Sequence, residues 1–469
     1  MPASSSSSAI DQVLAHADAN LGKSLDRLFD YLRIPSISTD PEYKDECLRA
    51  AQWSADRLAE CGFSAEVRPT TGHPMVVAHH DGAGPDAPHV LYYGHYDVQP
   101  PDPLELWNTG PFEPVLVDGP HGKRIVARGA VDDKGQVMMF LEAFRAWHET
   151  TGNLPCRVTV FLEGEEECGS PSLPPFLVAN KEELSQPDIA VVCDTGMWDV
   201  DTPAVTTMLR GMAYTEVKLT AANRDLHSGL YGGSALNPIN ALSQILGGLT
   251  DEQGRIQLPG FYDGIPERSM EQKAEWDSLG FDEKAFLADV GLSSPIGEAQ
   301  RSPLERLWAR PTADINGIWG GYTGPGSKTV IASEAYAKVS FRLVTGQNHE
   351  QVIKAFQQFC DERAPAGAKV EVSDLHSAPA MEVPLDLPQL AAARKALADE
   401  FGRPAVTVGS GGSIPVVEKM KTILGLDSVL MGFGLADDQI HSPNEKFEQV
   451  CFHHGLRSNA RLLAALAEG

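Results

Sequence analysis

The sequence predicts an α/β protein in which a mostly parallel sheet is flanked by helices and interrupted by an inserted α+β domain. Three observations predict it. Before about residue 200, short, nearly continuous apolar runs alternate with helical patterns; between 209 and 381 the strand-like segments switch to strict apolar/polar alternation; after a proline-rich stretch the first grammar resumes. The 469 residues suffice for two domains of ordinary size.

Residues 10 to 62 read as helices: Leu14, Leu21, Leu25, Leu28 and Leu32 recur at helical spacing, and the pattern continues from Ala51 through Leu58 until Gly62 stops it. Strands are expected at Met75–Ala78, His89–Tyr93, Val158–Leu162 and Ile189–Cys193, each apolar enough to be buried on both faces. Between them Val137, Phe140, Leu141, Phe144 and Trp147 form a helix stripe suited to core packing. In such sheets ligands bind at the carboxyl ends of the strands, where His95, Glu166, Glu167 and Asp194 fall. Tyr214–Leu219 and Ala335–Leu343 alternate strictly, as in a half-exposed antiparallel sheet. The stretch from Gly260 to Pro311 is charged and loop-rich, with a short helical piece at Glu267–Leu279. Pro379 to Pro388 marks the return, followed by a helix from Gln389 to Phe401. The domain boundaries expected are therefore 1–208 and 382–469 for the first domain, with 209–381 inserted.

Composition excludes several classes. Hydrophobic residues make up 42%, and no run approaches the roughly 18 apolar residues of a membrane helix. Met1-Pro2-Ala3 and the serines Ser4 to Ser8 carry neither a basic stretch nor an apolar signal core, and read as a frayed tail on a cytoplasmic protein. Seven cysteines without paired spacing fit a reducing compartment. A formal charge of −26 with no segregated basic stripe argues against nucleic acid.

Five segments carry metal-ligand chemistry: His95-Tyr96-Asp97, Arg128 to Gly135, Glu163 to Glu167, Val192-Cys193-Asp194, and Ile440-His441-Ser442. Two divalent ions about 3.5–4 Å apart can share one carboxylate and one water, whose pKa then falls toward about 7. Such a site needs mixed nitrogen and oxygen donors. His95, Asp132, Glu167, Asp194 and His441 supply them, with Asp132 the natural bridge. Imidazole suits zinc, manganese and cobalt alike, so ligand type does not choose the metal. Glu166 and Glu167 are adjacent; in an extended segment they point apart, so one binds and the other takes a proton from water. Asp97, two residues after His95, is placed to accept the second imidazole proton and orient the ring.

In order and character these segments resemble the metal-dependent exopeptidase family of carnosinases, cytosolic nonspecific dipeptidases, succinyl-diaminopimelate desuccinylase and carboxypeptidase G. The resemblance covers nearly the whole chain and is closest to the dipeptidase branch, through Gly94 to Pro100, Arg128 to Gly135, Glu163 to Ser170, Asp225-Leu226-His227-Ser228-Gly229 and His441 to Lys446. It implies that His95, Asp132 and Asp194 hold one ion and Asp132, Glu167 and His441 the other, with Glu166 the general base. A cis peptide between Asp132 and Asp133 is also implied. The inserted domain becomes a lid and dimerisation domain, and 1–208 with 382–469 the catalytic domain. His227 resembles a histidine that reaches into the partner subunit's site and stabilises the oxyanion, which makes the active protein a homodimer. Thr329, Arg342 and, with less similar surroundings, His376 match positions that contact substrate. Gly409 to Ser413 precedes a helix, so that amides there, with Ser413, would hold a substrate carboxylate. Within the family, aspartate at position 194 goes with dipeptidases and aminopeptidases, and glutamate more with carboxypeptidases and deacylases. The activity implied is dipeptide hydrolysis with two zinc or manganese ions per subunit, cobalt being possible. The alternatives are an N-acyl-amino-acid amidohydrolase or carboxypeptidase with the same metals, or a catalytically silent metal-binding paralogue; against the last, every ligand and the base are present.

Overall fold

The computed structural model describes residues 4–412 and 414–468, and the chain divides into two compact units. The first comprises Met1–Thr207, Val383–Val408 and Pro415–Gly469. Its sheet has a parallel centre: His89–His95 lies between Arg157–Glu163 and Ile189–Val192, parallel to both, and Ser428–Leu430 continues beyond Ile189–Val192 in the same sense. Met75–His80 and Ser64–Arg68 close one side antiparallel. All seven residues of His89–His95 are buried, which is why the run is apolar throughout and does not alternate.

Helices cover this sheet. Lys134–Thr151 packs against Ser4–Leu32 and Gln449–Glu468, and the last of these also packs on Pro388–Phe401. Lys134–Thr151 is enclosed beyond the expected stripe: every residue from Lys134 to Phe144 is buried, Lys134 and Glu142 included. The first helix begins at Ser4, so the serine run read as a frayed tail is its opening turn. Several strands escaped the sequence, among them those of a small sheet. Lys446–Glu448 pairs antiparallel with Gly122–Val126, which pairs in turn with Val115–Gly119, and this small sheet carries the segment after His441 alongside the segment before Asp132.

The second unit comprises Met208–Glu382 with Gly409–Ile414. Its four-stranded antiparallel sheet runs in the order Thr312–Gly320, Glu334–Leu343, Gly211–Thr220, Lys369–Ala378. Gly211–Thr220 alternates buried and half-buried along its whole length. The buried face, with Val217, Leu219, Ala337, Val339 and Phe341, meets Leu242, Ile245, Phe356 and Phe359 from the helices Pro238–Gly247 and His349–Arg363. The expected Glu267–Leu279 piece is a helix over Met270–Ser278.

Candidate metal centre

His95 ends its strand with a fully buried side chain. Glu166 and Glu167 follow the end of Arg157–Glu163, and Asp194 follows Ile189–Val192, so three parallel strands deliver donors at their carboxyl ends. Asp132 lies in the loop before Lys134–Thr151, and its peptide bond to Asp133 is cis, as the family resemblance implies. His441 lies in a loop with backbone φ of 61°, a left-handed conformation rare outside glycine.

These five residues converge. His95 Nε2 is 3.1 Å from Asp132 Oδ1 and 4.0 Å from Asp194 Oδ2; His441 Nε2 is 2.9 Å from Asp132 Oδ2 and 3.1 Å from Glu167 Oε2. In each of two groups, His95 with Asp132 and Asp194, and Asp132 with Glu167 and His441, one donor atom per residue lies within 4.8 Å of the others. Asp132 belongs to both, presenting one oxygen to each imidazole.

The electrostatics fit a cation-binding cluster. Burial, reinforced by Asp133 and Asp132, pushes the Asp194 carboxyl well above its usual range. Burial also raises Glu166 to about 7; His95 opposes this, while Glu167, Asp97 and Asp132 add to it. Conversely, hydrogen bonds donated to the Asp132 and Glu167 carboxylates raise His441 to about 10. The cluster thus holds protons, on His441 and on the raised carboxyls, where divalent cations would balance its negative charge, and cations binding there would release them. Mixed imidazole and carboxylate donors suit borderline divalent ions.

Further partners hold the donors in place. Asp97 lies against His95: its backbone carbonyl oxygen is 3.1 Å and its Oδ1 3.4 Å from Nδ1. Its carboxylate does more: Oδ1 accepts from Glu166 N (3.3 Å) and Oδ2 from Glu167 N (3.1 Å). The expectation of an extended segment at Glu166 and Glu167 is corrected, because Glu166–Cys168 is a 3-10 turn, tightened around those two bonds and closed by Gly169 in the left-handed conformation. Three residues were missed by sequence reasoning. Asp133 Oδ2 accepts from His95 N at 3.0 Å; Gln99 Nε2 donates to Glu167 Oε2 at 2.8 Å; Glu445 accepts from the backbone around Asp132. Gln99 and Glu445 lie inside motifs already singled out, but a bond from a side chain to a distant backbone leaves no local pattern.

The remaining candidates belong to the second unit. His227 closes Leu226–His227, which pairs with Val330–Ile331; its side chain is exposed, and Nδ1 accepts from Gly229 N at 3.0 Å. Thr329 adjoins it, its carbonyl accepting from Ser228 N at 3.0 Å. Arg342 is half-buried opposite Met212, and the nearby Arg210 guanidinium, unforeseen from sequence, is lowered to about 10 by burial and then by Arg342. His376 is exposed on Lys369–Ala378 opposite Tyr214, at a break in register. Within Gly409–Gly412, Arg210 Nε donates to the Gly411 carbonyl at 3.3 Å. Ser413 lies outside the described residues.

The chain is similar to known proteins along nearly their whole length. The Beta-Ala-His dipeptidase of Homo sapiens is 28% identical over 98% of this chain and 93% of its own. The Cys-Gly metallodipeptidase DUG1 of Saccharomyces cerevisiae is 27% identical over 94% and 95%. The solved structure of the dipeptidase Dug1p from the same yeast superposes with a TM-score of 0.78, covering 98% of this chain and 99% of that one at 26% identity. Residues 91–467 match Peptidase family M20/M25/M40, well over half of the sequence, and the chain belongs to that family of peptidases.

Proposed function

We propose that this chain hydrolyses dipeptides with two divalent ions, zinc or manganese with cobalt also compatible, held by His95, Asp132, Glu167, Asp194 and His441. The observation that carries the reading is Asp132, one carboxylate whose Oδ1 faces His95 and whose Oδ2 faces His441. His95, Asp132 and Asp194 would hold one ion, and Asp132, Glu167 and His441 the other. Such ions, when bound, supply Lewis acidity that polarises a carbonyl and acidifies water. Glu166 takes the proton of the attacking water and delivers it to the leaving amine. Its support is positional: it adjoins a ligand yet belongs to neither donor group, and its backbone is pinned by Asp97. Asp97 keeps the His95 ring in register. His227, from the partner subunit of a homodimer, donates to the developing oxyanion. Thr329, Arg342, His376 and Ser413 contact the substrate. In this reading 209–381 is the lid and dimerisation domain, and 1–208 with 382–469 the catalytic domain.

The names of the relatives, Beta-Ala-His and Cys-Gly dipeptidases, favour an unblocked dipeptide. Among the described residues no helix is long and apolar enough to cross a membrane, and the proposed setting is cytoplasmic. The test is to strip the protein with chelator, restore zinc, manganese or cobalt, and assay unblocked dipeptides beside their N-acetylated forms. Hydrolysis of unblocked dipeptides is expected. Turnover confined to the acetylated forms would make the enzyme an amidohydrolase, and full metal loading without turnover would make it a silent paralogue.

A further inference from the structure

Glu445 is fully buried, and both of its carboxylate oxygens are occupied by donors from one loop. Oε2 accepts from Arg128 Nη1 at 2.7 Å and from Gly129 N at 2.9 Å; Oε1 accepts from Val131 N at 2.9 Å and from Asp132 N at 3.1 Å. Three of these donors are backbone groups, the last being that of Asp132 itself. The segment bearing Glu445 is equally tied. Its carbonyl accepts from Ala127 N, the next residues pair with Gly122–Val126, and Asn444 before it bonds Leu106 O and Asn108 N, each at 2.8 Å. His441 sits four residues upstream, at a sequence distance of 309 from Asp132, yet the two side chains meet at 2.9 Å.

A buried carboxylate that satisfies several donors fixes their geometry, because each donor left without a partner would carry its full desolvation penalty. Here the donors are the loop that presents Asp132, and the acceptor is four residues from His441. We infer that Glu445 is a positioning residue that locks the shared ligand Asp132 against His441 and so sets metal affinity without touching an ion. The inference rests on the metal-centre reading above. It also explains why the clamp is a carboxylate. Every partner is a donor, so an amide in its place would turn its own N–H groups toward either Arg128 and Gly129 or Val131 and Asp132, donor against donor.

The test compares wild type, Glu445→Gln and Glu445→Asp, each stripped of metal and titrated with zinc by calorimetry, with Tm measured alongside. Wild type should bind two ions per chain. In Glu445→Gln the Kd of at least one ion should rise roughly 10- to 100-fold, the usual effect of removing a group that orients a ligand. Turnover lost at the zinc level that saturates wild type should return as zinc is raised, with KM for the peptide unchanged. Glu445→Asp, which keeps the charge but is one methylene shorter, should shift Kd in the same direction by less. A lowered Tm with wild-type zinc affinity in both variants would reduce Glu445 to a purely structural residue and overturn the inference. Should Glu445→Gln fail to fold, unaltered zinc affinity in Glu445→Asp would overturn it alone. Wild type that binds no zinc would overturn the metal-centre reading and this inference with it, an outcome distinct from two tight ions in every variant.

Discussion

Most candidate residues of the first unit and the two candidate histidines of the second are held in different ways. In the first, His95, Asp97, Asp133 and Glu445 are each completely buried, and each is held by at least one donor or acceptor from another segment. In the second, His227 and His376 are exposed, and among the described residues the side chain of His227 bonds locally, accepting from Gly229 N. The difference teaches where pre-organisation comes from. A buried polar group must find partners within its own fold, or folding carries the full desolvation penalty, so its orientation is set once the chain folds. An exposed group faces no such demand and remains free for a ligand or a second subunit.

The sharpest way to break this comparison is Glu166→Gln. If the buried donors are metal ligands and Glu166 is the base beside them, the variant should bind two ions normally and lose roughly 10²- to 10⁴-fold in kcat. Metal content by elemental analysis decides the matter, because concurrent loss of an ion would make Glu166 a ligand. His227→Ala comes next, with an expected drop of roughly 10²- to 10³-fold in kcat and no change in metals or Tm, since an exposed side chain supports little of the fold. Mixing His227→Ala with Glu166→Gln subunits under conditions of exchange should restore activity toward about a quarter of wild type, because about half the dimers are mixed and each has one intact site. Verified exchange without recovery would confine His227 to its own chain.

Asp97→Asn probes the buried side with a smaller expected effect. Its amide would turn a donor either toward Glu167 N or toward Glu166 N and His95, and should weaken metal binding roughly 10- to 100-fold by titration. Smallest is a change away from the site. Glu400 is buried between helices and bonded by His454 Nδ1 (2.9 Å), Arg457 Nε (2.7 Å) and Arg461 Nε (2.9 Å). Burial pushes its carboxyl up, but these three bonds outweigh burial and bring it down to about 2. Because the folded value lies below the ordinary 4.5, the stabilisation is present above pH 4.5 and is lost as pH falls from there toward 2. Denaturant titrations should find Glu400→Gln less stable at pH 7 by about 1–3 kcal/mol, with a flatter acid loss over that window. An unchanged acid slope would mean that the network contributes nothing net.

Much of the first unit was legible because burial on both faces writes itself into continuous apolar runs. Met75–His80, His89–His95, Arg157–Glu163 and Ile189–Val192 all lie where such runs were read, and donors lie at the ends of the last three. The second unit was legible for the complementary reason, since one open face produces alternation, as in Gly211–Thr220. The turn at Glu166–Cys168 was misread as extended because what bends it, the Asp97 carboxylate, comes from another strand end. Lys446–Glu448 was missed because three residues are too few to carry a period.

By itself, then, the sequence determined the α/β class, the inserted antiparallel sheet and the residue types available to a metal centre, since periodicity and composition are local properties that survive without a fold. Only the tertiary structure decided which oxygen of Asp132 faces which histidine, that Asp97 grips two backbone amides besides its imidazole, and that Glu445 binds the loop of a residue more than 300 positions away. Those are contacts of side chains with distant side chains and backbone groups brought together by packing, and no spacing along the chain encodes them.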